Sequence, residues 1–287
     1  MTEALVRRRD GHLWTRVVGD SQGVPLLCIP GGPACAHDYI ASVAAIAERG
    51  RAVVLYDPYG SGRSPAPPTT TYDVDALRDD VEAVRAGLGL PRVHLFAHSA
   101  GSFAAIEYAL AHPQRVASLV LSSPVFDVPA YQREVHALLA RFGEAAADAF
   151  IRAEREPRRR NKAYMSMYYE YIARHVCRFG DVRRFAQLAG RGFNARAHLQ
   201  MKGGLLVYTR SPLDQWSSLS RHAAIHAPVL ITCGAFDVTP VRLYEEAART
   251  LARAEVSVFE QSSHAQYVEE PARFIEVVSA FLDRSDS

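Results

Sequence analysis

A serine hydroxyl attacks carbonyls at neutral pH only when a base takes its proton and its backbone lifts it clear of its neighbours. Ser99 lies in Leu95-Phe96-Ala97-His98-Ser99-Ala100-Gly101, between an apolar run at 93–96 and a small-residue run at 102–111. A buried strand passing through a sharp turn into a helix exposes such a serine, and that turn tolerates only small side chains two residues to either side. Ala97 and Gly101 meet the demand, with alanine standing where glycine is usual. In this layout the acid and then the histidine follow the serine along the chain. Asp237 comes just after the apolar run 228–234, and His264 follows the run 256–259 and the polar Gln261-Ser262-Ser263. Ser99, Asp237 and His264 are therefore expected to form a triad, with His264 as base and Asp237 orienting its ring. His98 is expected to pack or hydrogen-bond beneath the nucleophile.

Acyl transfer also develops negative charge on oxygen, which two preorganised backbone N–H groups must meet. Ala100, directly after the nucleophile, is one expected donor. The other follows the strand run 24–29, in Pro30-Gly31-Gly32-Pro33-Ala34. Glycines there let the backbone approach a ligand, and prolines stiffen the loop. Gly32 is the expected donor, with Gly31 beside it against the substrate.

These residues need a scaffold that delivers strand ends to one place. From 1 to 124, strand runs alternate with helical patterns, as in a mostly parallel sheet covered on both faces. An opening hairpin is expected across Asp10-Gly11, from 4–8 and 13–18, with further strands at 52–56, 93–96 and 118–121. Strand runs vanish from about 125 to 221, where alanine, arginine and tyrosine recur at helical spacing, and the strand–helix pattern resumes at 227. The expected organisation is an α/β core at 1–124 and 223–287 with a helical cap, or lid, at 125–222 over the site. The chain has 287 residues, 48% of them hydrophobic, enough for one large core plus this insertion.

With these motifs on the page, the chain resembles the proline iminopeptidases and their α/β-hydrolase relatives. Pro30-Gly31-Gly32-Pro33-Ala34 is similar to their His-Gly-Gly-Pro-Gly signature, Tyr56–Ser64 to an Asp-Gln-x-Gly-x-Gly-Arg-Ser segment, and Arg174-His175-Val176-Cys177-Arg178 to an Arg-His-x-Cys-Arg run. The resemblance runs from Leu26 to about Leu282. It implies an α/β-hydrolase fold with an inserted helical cap and cleavage of amides after an N-terminal proline or similar residue. Two departures stand out: Pro30 replaces the leading histidine, and Ala34 the last glycine. In the cap, relatives carry Met-Trp-Gly-Pro-x-Glu-Phe and then a Leu-x-x-Trp pair. Here Met201-Lys202-Gly203-Gly204-Leu205-Leu206-Val207 precedes Leu213 and Trp216, which puts Leu206 at the glutamate. The resemblance assigns cap glutamates to the substrate's free α-amine. Losing such a carboxylate removes a charge-assisted bond worth about 1.5–3 kcal/mol, or roughly ten- to a hundredfold in binding. Glu170 is a candidate to supply a carboxylate instead, against the reading that it is a solvated helix position, and Tyr171, Leu206 and Trp216 are candidate neighbours against the substrate.

Charge and composition bound the rest. Residues 125–222 hold 17 Lys/Arg against nine Asp/Glu, a net of +8 in a chain of +2 overall. Such a lid suits an acidic substrate or carrier protein, or Arg152–Arg160 is simply a solvated helix face. The cluster Tyr164, Met165, Met167, Tyr168, Tyr169 and Tyr171 serves either as core or as an adaptable pocket wall. Asp57 and Arg63 are expected to fix the glycine-rich loop between them, by an ion pair or by hydrogen bonds. The sequence carries no nucleic-acid reader motif, no apolar run of membrane-spanning length and no N-terminal apolar segment of a signal peptide. Cys28, Cys35, Cys177 and Cys233 lack metal-ligand spacing. These features lead to the expectation of a cytoplasmic protein with reduced thiols, no metal or organic cofactor, and a small-molecule or short-peptide substrate. Within that frame the chain reads as a serine hydrolase of amides or esters. The alternatives are an esterase, acyltransferase, lyase or cyclase on the same scaffold, or a ligand-binding protein without turnover.

Overall fold

The structure, a computed structural model, describes residues 1–20, 23–178 and 182–286. Strands β3 (Leu26–Ile29), β4 (Val53–Tyr56), β5 (Val93–His98), β6 (Val116–Ser122) and β7 (Val229–Gly234) are buried at every residue. Continuous apolar runs of this kind have no solvent face, so they form the interior of a sheet covered on both sides. The antiparallel pair β1 (Thr2–Arg8) and β2 (Gly11–Val18) and the final strand β8 (Ala254–Phe259) complete it. Among the described residues these eight strands make one sheet of order β1-β2-β4-β3-β5-β6-β7-β8, parallel from β4 onward. The fold is the α/β-hydrolase arrangement expected from the sequence, with the opening hairpin turning at Arg9-Asp10, one residue before the expected position, because Gly11 already pairs with Arg8.

Each face of the sheet has its own apolar layer. On one side, α1 (Val74–Gly87), α2 (Gly101–Ala111) and α8 (Val241–Ala248) contribute Val81, Val84, Ala104, Tyr108 and Tyr244. Asp73 caps α1 by accepting the Ala76 N–H, which satisfies one of the donors a helix start leaves free. On the other side, 3-10 turns over His37–Arg49, the short α9 (Gln266–Glu269) and the last helix, α10 (Pro271–Ser285), supply Ile40, Val43, Tyr267, Phe274 and Val278. There Phe274 meets Phe96 and Tyr267 edge-on at 6.0 Å each, locking α10 to β5 across the layer.

Between β6 and β7 lie α3 (Val128–Ala140), α4 (Glu144–Arg155), α5 (Lys162–His175), α6 (Val182–Gly190) and α7 (Ala195–Met201). Helices α3 to α5 bury a separate cluster that includes Val135, Leu139, Phe150, Tyr164 and Tyr171. Helix α6 instead leans on the sheet side through Phe185 and Leu188. The chain from Lys202 to Ser218 departs from the expected helix. It is pinned by a Gly203–Tyr208 bridge and by an Asp127–Ser217 bridge that ties the outgoing and returning strands of chain together. No helix among the described residues is long and apolar enough to cross a membrane.

Because Phe274 is fully buried and joins α10 to the sheet, Phe274→Ala is expected to lower unfolding stability by about 3–5 kcal/mol. Urea denaturation checks this, and a loss under 1 kcal/mol would mean the layer collapses around the gap.

Candidate active site

The catalytic candidates stand where parallel strands end. Ser99 follows β5 directly and has φ +53, in the left-handed region, before α2 begins at Gly101. Its N–H donates to the Ser122 carbonyl at the end of β6 (2.9 Å), and its carbonyl accepts from Ser102 N–H (3.0 Å). No side chain fits under the turn. A Cβ on Gly31 would lie 2.4 Å from the His98 carbonyl oxygen, and one on Gly101 would lie 2.8 Å from the carbonyls of Ile29 and Pro30. The β5 turn and the loop leaving β3 are therefore in direct backbone contact.

Asp237 and His264 come together from the ends of β7 and β8. His264 Nδ1 is 2.6 Å from Asp237 Oδ1, which also accepts the Val238 N–H at 2.6 Å, while the Tyr244 hydroxyl donates to Oδ2 at 2.9 Å. Burial pushes the Asp237 carboxyl upward, but the charge and hydrogen bond of His264, with Ser123 and Tyr244, outweigh it and hold the group below the usual carboxylate range. Ser99 and the His264 ring line one cavity of about 250 Å³. No direct hydrogen bond joins them in this structure; catalytic contacts of this kind commonly tighten only with substrate present.

His98 hydrogen-bonds beneath the turn as expected, through partners that the sequence did not name. His98 Nε2 faces the His264 carbonyl at 2.9 Å, so this nitrogen carries the proton. Its Nδ1 then accepts from the Tyr39 hydroxyl (3.0 Å), whose oxygen accepts the Gly31 N–H (2.6 Å). Ser123 Oγ also donates to the His264 carbonyl (3.1 Å) and is held by Gln266 Nε2 (2.8 Å). Burial, reinforced by the nearby His264, pushes the His98 pKa down to about 3. The partners are 59 and 166 residues apart from His98, a separation that local sequence pattern does not encode.

The remaining sequence-derived residues divide. Gly32 lines the cavity at φ +115, a conformation that requires glycine, whereas the Gly31 N–H is committed to Tyr39 and Gly31 serves as scaffold. Ala100 begins the turn into α2, next to Ser99. Leu206 lines the cavity. Glu170 does not reach it: the carboxylate is on the outer surface of α5, paired with Arg174. Tyr171 is buried in the helical cluster, away from the lining, and Trp216 meets Phe103 edge-on and donates to Glu107 at 3.2 Å. Of the tyrosine cluster, Tyr168 lines the cavity, Tyr164 and Tyr171 pack inside, and Tyr169 is exposed. Asp57 accepts the Arg63 N–H (2.8 Å) and pairs with His37 (2.7 Å), so the loop is held through backbone and histidine while the Arg63 guanidinium covers Trp14. Arg158 and Arg159 both pair with Glu156 at the surface. Cys28, Cys35, Cys177 and Cys233 are all buried, and among the described residues none forms a disulfide.

A family profile described as alpha/beta hydrolase fold matches residues 24–271. Proline iminopeptidase of Clostridium botulinum is 27% identical over 295 residues, which cover all of this chain and 99% of that protein. The solved structure of proline iminopeptidase from Mycobacterium smegmatis superposes with a TM-score of 0.89 at 26% identity, over 99% of both chains. That of VinJ superposes with a TM-score of 0.92 at 24% identity, over 99% of this chain and 98% of the other.

The buried histidines set a pH limit on stability. Burial holds His94 and His198 at about 4, and His98 at about 3, all below the ordinary histidine value. Below about pH 6.5 the unfolded chain binds protons that these folded-state rings refuse, so stability falls with pH by up to about 1.4 kcal/mol per pH unit for each ring. Thermal midpoints are expected to be nearly flat between pH 6.5 and 7.5 and to fall between pH 6.5 and 5. His98→Gln, which cannot charge, should show a shallower fall, and a midpoint constant down to pH 5 would show that the rings ionise in place.

Proposed function

The chain belongs to the alpha/beta hydrolase fold family, and from that membership we propose that Ser99, His264 and Asp237 act as its catalytic triad. It is a proline iminopeptidase-like serine hydrolase. In the proposed mechanism Ser99 Oγ attacks a carbonyl carbon while His264 Nε2 takes the proton. Asp237 keeps the ring in the tautomer with Nδ1–H and stabilises the imidazolium. The N–H groups of Gly32 and Ala100 receive the oxyanion, His264 returns the proton to the leaving amine or alcohol, and water then resolves the acyl-enzyme. Residues 125–222 act as the cap that covers this site and selects the acyl group.

The observation that carries this reading is the 2.6 Å contact of His264 with buried Asp237, on a cavity whose wall also holds Ser99 at positive φ. The bond cleaved is an amide or an ester. Amine recognition is altered relative to the proline iminopeptidases, because among the described residues lining the cavity none is Asp or Glu. The same observation favours the second reading, an esterase or acyl-transferring enzyme whose substrate has no free amine.

A fluorophosphonate probe is expected to modify Ser99, as mass spectrometry of the labelled peptide would read. Ser99→Ala should lose the label and reduce kcat by about ten-thousandfold or more, and His264→Ala should do nearly the same. Turnover that survives Ser99→Ala would overturn the mechanism. Within a panel of prolyl and alanyl naphthylamides, their N-acetylated forms and short acyl nitrophenyl esters, the blocked amides or esters are expected to be the better substrates. Cleavage of the free-amine amides alone would return the chain to aminopeptidase specificity.

A further inference from the structure

Lys202 is the one Lys or Arg among the described residues lining the Ser99 cavity. It follows α7 directly, and its backbone is fixed on both sides: its N–H donates to His198 (2.8 Å) and its carbonyl accepts from Thr209 (2.8 Å). The next residue, Gly203, has φ +85, and a Cβ there would lie 2.0 Å from the Thr209 carbonyl, so the turn that presents Lys202 has little freedom to rearrange. The side chain is 7% exposed. Its ammonium has the faces of Tyr208 and Tyr131 at 5.1 and 5.8 Å, but no hydrogen-bond acceptor and no carboxylate in salt-bridge contact among the described residues.

The nearest source of negative charge is already committed. Glu154 is buried, and its Oε2 accepts the N–H groups of Leu206 (2.6 Å) and Val207 (3.1 Å), while Oε1 accepts the Tyr164 hydroxyl (2.5 Å) and has Arg160 at 3.8 Å. That carboxylate holds the 204–207 turn in place. The Cys35 thiol on the same wall is pushed up to about 12 by burial and stays neutral, and His198 is held at about 4. Burial also pulls Lys202 down to about 8, which still leaves it mostly protonated at neutral pH. A buried cation with donors unspent and a cavity in front of it favours an incoming anion, which supplies both the counter-charge and the hydrogen-bond acceptors. An α-ammonium entering the same space meets like charge, with no carboxylate on the cavity wall to pair with it and Glu154 acting on Lys202 only from behind the 206–207 backbone.

We propose that Lys202 is a specificity residue that binds a carboxylate on the acyl portion of the substrate, so that the preferred substrates are half-esters or half-amides of short dicarboxylic acids. The proposal rests on the serine hydrolase reading for the position of the acyl group, and it reverses the charge complementarity of an aminopeptidase pocket. The cavity of about 250 Å³ suits a short acyl chain.

The test compares p-nitrophenyl hydrogen glutarate with p-nitrophenyl pentanoate, esters of matched chain length with and without the terminal carboxylate. The parent enzyme is expected to favour the glutarate ester in kcat/KM by tenfold or more, and Lys202→Met to lower that ratio ten- to a hundredfold. A parent enzyme that prefers the pentanoate, or a ratio that Lys202→Met leaves unchanged, overturns the proposal. A binding measurement separates this from the mechanism. Monomethyl glutarate titrated calorimetrically into Ser99→Ala protein should bind at least tenfold more tightly than into Ser99→Ala/Lys202→Met, with thermal midpoints confirming that both are folded. Equal binding, or none to either protein, overturns the Lys202 assignment whatever the turnover data show, whereas ester hydrolysis surviving Ser99→Ala overturns the triad and leaves the binding comparison to judge Lys202.

Discussion

The left-handed backbone at Ser99 is the constraint around which the site is arranged. An L-residue in that region costs about 1–2 kcal/mol, and it persists only where its surroundings leave no alternative. Here the alternatives are closed by contact. The His98 carbonyl presses on Gly31, the carbonyls of Ile29 and Pro30 press on Gly101, and the Ser99 N–H is tied to Ser122 on the neighbouring strand. The strand end, the following helix and the loop after β3 therefore move as one body. Gly32 inherits its position relative to Ser99 from that packing, which is the preorganisation an oxyanion site requires.

Electrostatics extends the same body to His264. Its carbonyl receives hydrogen bonds from His98 and Ser123, and its ring meets Asp237 on the other side, so the residue is gripped at backbone and side chain at once. The two histidines are kept distinct by their partners. His98 is enclosed and must give its only proton to a carbonyl, which confines it to a neutral positioning role. His264 faces an ionised carboxylate that can support a positive ring. Tyr39 connects this arrangement to the Gly31 N–H, so the loop after β3 and His264 are joined through a side chain 59 residues from its partner His98.

Much of this was legible in the sequence because the decisive signals were local. Ser99 and Asp237 follow the fully buried strands β5 and β7, whose near-continuous apolar runs suit the interior of a covered sheet, and His264 follows β8, an edge strand that keeps Val256, Val258 and Phe259 beside Glu255 and Ser257. The helical stretch between β6 and β7 announced itself by the disappearance of such runs. What failed depended on which way a helix faces. Glu170 and Tyr168 lie on the same helix two residues apart, and the packing of α5 sends one to the surface and the other to the cavity. Trp216 keeps the spacing expected beside Leu213 but spends its ring on Phe103 and Glu107. Asp57 and Arg63 interact as neighbours, yet through the Arg63 N–H, and His37 entered as a partner that only the fold could bring near.

Lys202, Leu206 and Glu154 show how the character of a cavity is set by where a few charges point. Leu206 gives the cavity an apolar wall where the resembling signature carries a glutamate. A carboxylate is nevertheless present a short distance behind it, because Glu154 binds the N–H groups of Leu206 and Val207. Its charge is absorbed in building the turn, so the cavity gains rigidity from it without gaining a negative surface. Lys202 is placed the opposite way, with its backbone committed to the turn and its ammonium left to the cavity. In a low-dielectric enclosure an unpaired charge acts strongly on whatever enters, whereas a paired one is largely neutralised. The polarity of this pocket therefore follows from which of the two groups the fold has already satisfied, and that choice is made by the 202–209 turn rather than by Ser99, Asp237 and His264.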